Sequence, residues 1–333
     1  MLNRRGFLYD AVAAILAVSG AGLAQPAEKR ARVGFLTASG RFAFEVGERR
    51  LYRDAFTGRL GELGWTEGQN LVIESRYADG HYGRLPALAA DLVRVPVDVI
   101  FANAAPSAQA AKQVTASIPI VFETLGDPIT AGLVSSLGRP GGNLTGISGL
   151  GPELSGKRLE LLRELLPGLR RVVLLTNPGN VMAAPTVRET EHAADALKLD
   201  VQVLEVRRPD QLESAFGRVG SDGATALIVV PDPMLLTLAP RIQALLLKHR
   251  LPAVHAETGW LQRGGLMLFG SSLVDHFRQA ATLVDKILRG ARPGELPVEQ
   301  STKFELVINL KTAKALGLAI PPSLLLRADQ VIE

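Results

Sequence analysis

Short polar residues recur at one kind of place in this chain: just after a β-rich apolar run and just before a helical one. Thr37 and Ser39 stand there first, then Asn103-Ala-Ala-Pro-Ser107 and Glu123-Thr-Leu-Gly-Asp127. Further along come Asn177-Pro-Gly-Asn180, Asp232, Glu257 and Gly270-Ser-Ser272. Free backbone N–H groups at helix N-termini suit a carboxylate or another anion. Acids such as Glu123, Asp127, Asp232 and Glu257 can meet an amine, and Phe42, Phe44, Trp260 and Phe269 are available as apolar walls. Taken singly, Asn, Ser, Asp and Pro are ordinary caps and turns. Their repetition after successive strands is the signal, and the chemistry it points to is reversible capture of a small polar solute.

Covalent and metal chemistry find less support. The loop after the first strand reads TASGRFAFEVG and lacks the G-x-G-x-x-G of a dinucleotide site. GRPGGN at 138–143 has no Lys-Ser/Thr and reads as a tight turn rather than a phosphate loop. Gly146-Ile147-Ser148-Gly149 resembles half of a nucleophile elbow, but Leu150 stands where a glycine is needed. The five histidines, His81, His192, His249, His255 and His276, have no metal-ligand spacing. His255 with Glu257 sits after a strand and is a weak cleft candidate. There is no cysteine, hence no disulfide, thiolate ligand or lipid-modified thiol. No catalytic residue, metal or cofactor is therefore assigned.

The elements that must hold these loops alternate. Strand-like runs occupy 32–39, 71–77, 97–103, 118–124 and 143–148, separated by helices at 48–64, 82–94, 106–116 and 129–137. The plan then repeats. Helices at 156–166, 183–198, 208–219 and 235–249 alternate with strands at 171–177, 201–206, 224–230, 251–256 and 265–272. A long helix at 273–289, a proline-rich connector at 292–300, a strand at 303–310, a short helix and an irregular tail complete the chain. Such alternation demands parallel sheets, and ligands of open parallel sheets bind beyond the carboxyl ends of the strands. The Gly/Pro-rich middle, 138–167, favours two Rossmann-like lobes over one sheet.

With 333 residues, 47% hydrophobic and 21% charged, the composition is that of a soluble globular protein with a large core. The formal charge of +4 includes Arg4, Arg5 and Asp10, so without residues 1–24 it is +3, too mild for a nucleic-acid footprint. Residues 1–24 read as an export signal: paired arginines, an Ala-rich apolar run, and small residues at Gly22 and Ala24. Arg4-Arg5-Gly6-Phe7-Leu8 resembles a twin-arginine signal, and a general secretory route fits as well. The expected location is a periplasm, without lipid anchoring.

Over nearly its whole length the chain resembles the ABC-transporter substrate-binding proteins of the TrpX-like family. The resemblance rests on RVGFLTAS (32–39), LGWTEGQNLVIESRYADGHYGRLPALAADLV (63–93) and IPIVFETLGDPITAGLVSSLGRPGGNLTGIS (118–148). It continues through SGKRLELLRELLPG (155–168), TNPGN (176–180), GGLMLFGSS (264–272) and the C-terminal TKFELVINLKTAKALGLAIPPSLLLRADQVIE (302–333). It implies the type I periplasmic-binding-protein fold with three hinge crossings, at 148–155, 271–274 and 290–300. The lobes would be 30–150 with 273–291, and 153–271 with 294–333. It implies a monomeric, non-enzymatic receptor that closes on a small amino-acid-like or aromatic ligand and presents it to an inner-membrane ABC permease. The ligand loops of such proteins map onto Thr37, Ser39, Ala105, Ser107, Thr124, Asp127, Asn177, Asn180, Asp232, Glu257 and Ser271. Ala105 replaces a threonine, and Phe269 a tyrosine, common in relatives. A receptor for a signalling system and an exported α/β enzyme are the competing classes.

Overall fold

Apolar runs without polar alternation become central strands covered on both faces, and here they form two separate sheets. The computed structural model describes residues 30–47, 49–151, 154–219 and 225–333. The expected export signal, residues 1–24, lies outside them. The first sheet has the order β11-β5-β4-β3-β1-β2. Its members are β1 (Ala31–Thr37), β2 (Leu71–Tyr77), β3 (Val99–Asn103), β4 (Ile120–Thr124), β5 (Leu144–Ser148) and β11 (Glu299–Gln300). All pairs in it are parallel. The second sheet has the order β13-β12-β10-β9-β8-β6-β7. It holds β6 (Arg171–Thr176), β7 (Asp200–Glu205), β8 (Thr225–Val229), β9 (Ala253–His255), β10 (Met267–Ser271), β12 (Phe304–Asn309) and β13 (Gln330–Ile332).

The chain therefore passes between the sheets after β5, after β10 and after β11. The helix after β10, α10 (Leu273–Leu288), returns to the first sheet. Its buried stripe Phe277, Ala280, Ala281, Val284 and Ile287 packs with Phe35, Phe44, Phe56 and Phe101. In that aromatic cluster Phe56 stacks on Phe101 at 4.7 Å between centroids, and Tyr52 on Phe277 at 5.5 Å. Met234, Leu235, Ile242 and Trp260 anchor one core of the second lobe, and Leu159, Leu162, Val172 and Ile308 anchor another.

Four details differ from the sequence reading. No helix forms over 129–137, because the Asp127 carboxylate takes the N–H groups of Ile129 and Thr130 and Gly132 adopts φ 67°. The connector at 292–300 contains β11, in register with Ile147 and Ser148. Residues up to 300 thus stay with the first sheet, and the expected second-lobe segment 294–333 does not hold for 294–300. The second sheet is not wholly parallel: β12 runs antiparallel to β10, because it enters from the other lobe and not through a crossover helix. The tail also contains a helix, Pro322–Arg327, and β13.

Candidate functional site

The carboxyl ends of both sheets face one cavity. Its first-lobe wall is Arg49, Tyr52, Asn103, Ala104, Ala105, Glu123, Thr124, Leu125, Gly126, Leu273 and Phe277, with Gly151 from the passage after β5. The opposite wall is Asn180, Met182, Thr186, Pro231, Asp232, Pro233 and Glu257. The space between them, counted together with the open solvent it adjoins, is ≈ 610 Å³. At the first-lobe strand ends a buried chain of bonds fixes the polar floor. Thr37 Oγ1 donates to Asn103 Oδ1 at 3.0 Å, and Asn103 Nδ2 donates to Glu123 Oε2 at 2.7 Å. His276 Nδ1 lies 3.1 Å from Glu123 Oε1. Beside Asn103, Ala104 takes φ 69°, a left-handed conformation rare for alanine, which swings the chain into α4 (Ala105–Val114).

The lobes meet through side chains of this same cavity. Arg49, only 4% exposed, donates from Nη2 to Glu257 Oε2 at 2.6 Å and from Nη1 to Ser39 Oγ at 2.8 Å. The Tyr52 hydroxyl pairs with Thr258 Oγ1. Tyr82 donates to Asp232 Oδ2 at 2.5 Å. Met182 packs so close to Gly126 that a Cβ there would sit 2.3 Å from its Cε. This is a closed arrangement of the two lobes.

Among the described residues, three carboxyl groups and one guanidinium line the cavity. Burial pushes the Glu257 carboxyl above its usual range, against the opposing pull of Arg49, with Glu123 and Asp232 adding to the rise. Burial likewise raises Asp232, although Tyr82, the Leu235 N–H, Asn180 and Asn177 all stabilise its charge. Asp232 also caps the short helix that follows it. Desolvation and the adjacent Asp232 hold the Tyr82 hydroxyl well above its usual range, so it remains a donor. A site with these groups offers acceptors to a cation at several points, one strong cationic donor, and an apolar wall of Tyr52, Leu125, Met182, Leu273 and Phe277.

Of the residues picked from sequence, Ala105, Thr124, Asn180, Asp232 and Glu257 line the cavity. Thr37 and Ser39 stand behind the lining, holding Asn103 and Arg49. Ser107 is fully buried in the first turn of α4, outside the lining, and its Oγ has no partner among the described residues. Asp127 is occupied by its own turn. Asn177 donates to Asp232 and faces an outer groove beside the 79–84 loop. Ser271 is buried at the end of β10, away from the cavity. None of the four suggested aromatic walls serves. Phe42 is exposed, Phe44 lies in the first-lobe core, Phe269 packs in the second, and Trp260 stacks on His255 at 4.5 Å. His255 itself is a core residue whose burial pushes its pKa down to about 3. Among the described residues no group of acids and histidines is arranged to hold a metal.

Arg49, Tyr52, Met182 and Phe277 escaped the sequence reading. A signal for Arg49 was present: a cation directly before the helix Arg50–Glu62 opposes the helix dipole and calls for a specific counter-charge. That counter-charge is Glu257, in the other lobe.

Residues 47–332 match the model of a family described as ABC transporter substrate binding protein. A tyrosine-binding protein of Clostridioides difficile is 28% identical over 268 residues, 80% of this chain and 76% of that one. Among solved structures, a conserved domain protein from Vibrio cholerae is 27% identical with a TM-score of 0.84, covering 91% of this chain and 100% of that one. An ABC domain from Streptococcus pneumoniae in complex with L-Trp is 25% identical with a TM-score of 0.82, at the same coverage.

Proposed function

The chain belongs to the ABC transporter substrate-binding proteins, and we propose that it captures an amino acid with an aromatic or bulky apolar side chain in the cleft between its lobes. The observation that carries this reading is the cavity itself. It combines an apolar wall containing Tyr52 and Phe277 with carboxyl groups for an ammonium and a guanidinium for a carboxylate. The tyrosine-binding relative and the L-Trp-bound neighbour support the same ligand class. The three passages between the sheets act as hinges, so that ligand held by one lobe is enclosed by the other. The first lobe comprises 30–150 with 273–300, and the second 153–271 with 302–333. The receptor acts outside the cytoplasm, in a periplasm reached through residues 1–24, as a monomer. It delivers ligand to an ABC permease, performs no turnover and has no nucleic-acid partner. Among the described residues no helix is long and apolar enough to cross a membrane.

Thermal-shift screening of the purified protein against the twenty amino acids, aromatic acids, nucleosides and sugars tests the ligand class. A ligand at a hundred times its Kd stabilises by about 2.7 kcal/mol, a rise of several degrees. L-Tyrosine, L-tryptophan or another large apolar amino acid should give the largest rise. A rise with sugars or nucleosides alone would overturn the reading.

A further inference from the structure

Arg49 has an unfinished set of hydrogen bonds. Its Nη1 is held by Ser39 and its Nη2 by Glu257, but Nε is buried and has no acceptor among the described residues. A guanidinium presents its donors in a rigid planar fork, so fixing two of its nitrogens also fixes where the third points. A buried cationic donor without an acceptor is costly, by more than a neutral one. The residue lines the cavity, and its side chain lies over the Phe44 ring at 5.5 Å, which holds the plane of the fork from beneath. Among the described residues it is also the only cation in a lining that otherwise holds Glu123, Asp232 and Glu257. Asp232 is already met by Tyr82, Asn177, Asn180 and the Leu235 N–H, so its capacity is largely taken up within the protein.

We propose that Arg49 is the carboxylate receptor of the cleft. Its Nε–H takes an oxygen of the ligand's carboxylate while Nη2 keeps Glu257. The same guanidinium therefore reads the anionic end of the ligand and ties the first lobe to the second. Carboxylate recognition and closure become one event. The ligand's ammonium falls to Glu257 and Glu123, and Asp232 serves as a bond between lobes rather than as an ammonium site. Ser39, selected from sequence as a ligand contact, becomes a positioning residue that aims the fork. The inference rests on the receptor reading above.

The experiment compares one free amino acid with its carboxamide, which keeps the ammonium and the side chain and loses only the negative charge. The probe pair is L-tryptophan or L-tyrosine, whichever binds the wild type more tightly, with its amide, measured by isothermal titration calorimetry. Wild type should prefer the acid by about tenfold to a hundredfold, the range for a charge-assisted contact. In Arg49→Lys the ammonium cannot hold Ser39, Glu257 and a ligand oxygen in one plane. The acid should weaken by a similar factor and the acid–amide gap should shrink. Ser39→Ala, which leaves the cation in place, should shrink the gap in the same direction by a smaller factor, and keeps the idea testable if Arg49→Lys misfolds. A wild type that binds acid and amide equally, or variants that weaken both alike, would overturn the role of Arg49. A wild type that binds neither tyrosine nor tryptophan nor any other apolar amino acid overturns the receptor reading itself, and the assignment of Arg49 with it.

Discussion

Tyr82→Phe isolates a single bond between the lobes. The hydroxyl donates to Asp232 Oδ2 at 2.5 Å, while the ring packs against both the first-lobe core and that of the second. Phenylalanine keeps the ring and removes only the bond. Asp232 is not stranded, because Asn177, Asn180 and the Leu235 N–H remain on it. The hydroxyl and Asp232 are both desolvated, so the relief comes from those remaining donors rather than from water. The cost should then fall at the lower end for hydrogen bonds to charged groups, about 1.5 kcal/mol. It falls on the closed form alone, so the closed-to-open ratio drops about tenfold. When the closed form is a minority of free receptor, apparent affinity drops by the same factor; when it is the majority, by less. Calorimetry with the tightest amino acid measures the affinity, and small-angle X-ray scattering of ligand-free protein measures the opening. A folded Tyr82→Phe protein with unchanged affinity and an unchanged radius of gyration would refute the reasoning, for the bond would then not be holding the lobes together.

Two further outcomes follow from the same geometry. At Gly126 an added Cβ lies 2.3 Å from Met182 Cε and 3.0 Å from its Cγ and Sδ. Met182 can yield to one methyl, so Gly126→Ala should weaken ligand binding severalfold, whereas Gly126→Val should prop the lobes apart and abolish it; wild-type affinity in Gly126→Val, by calorimetry, would contradict this. The second concerns pH. Burial holds the Glu257 and Asp232 carboxyl groups above their unfolded values, so the folded chain binds more protons than the unfolded one between the ordinary carboxylate range and those raised values. By linkage, stability contributed by these two groups rises as pH falls through that window and is lowest above it, opposite in sign to a salt-bridged surface acid. Glu257→Gln should flatten this part of the melting-temperature profile, above the ordinary carboxylate range, and an unaltered profile would count against a buried, uphill-shifted Glu257.

Much of the architecture was legible because both periods in the sequence are strong. Runs such as RVVLLT and the Phe277–Val284 stripe have one physical solution each, a covered strand and a helix with one buried face. Elements fixed by tertiary partners were not legible. Glu299–Gln300 is a strand only because β5 offers an open edge, and nothing in RPGELPVEQ demands it. The segment 129–137 carries apolar residues enough for a helix, but a side-chain cap and a left-handed glycine end it in its first turn. In the site, the rule that ligands lie beyond strand ends located Ala105, Thr124, Asn180, Asp232 and Glu257, because all follow or end strands of a parallel sheet. It could not find Arg49 and Tyr52, which come from the start of a helix rather than from a strand end, nor Phe277, whose helical spacing marks it equally as core. Phe277 is in fact both, for the aromatic cluster of the first lobe is also the wall of the cleft.

That double use bears on how closure can depend on ligand. A ligand shifts an open–closed equilibrium only by the difference in its contacts with the two forms. Groups confined to one lobe, such as Glu123 with its Asn103 and His276 partners, are met in the open form and again in the closed form, so they add affinity without driving closure. The groups that differ are those brought up by the other lobe: Glu257, Asp232, Met182 and Thr186 against Arg49, Tyr52 and Phe277. The protein already satisfies Asp232 and half of Arg49 by itself. A ligand held on the first lobe can therefore reward closure mainly through Glu257, the apolar contact with Met182, and the Arg49 fork once Glu257 has fixed its plane. A molecule bearing a carboxylate, an ammonium and a large side chain on one centre uses all three at once. An aromatic acid or an amine alone uses two at most, and should bind with less closure as well as less affinity.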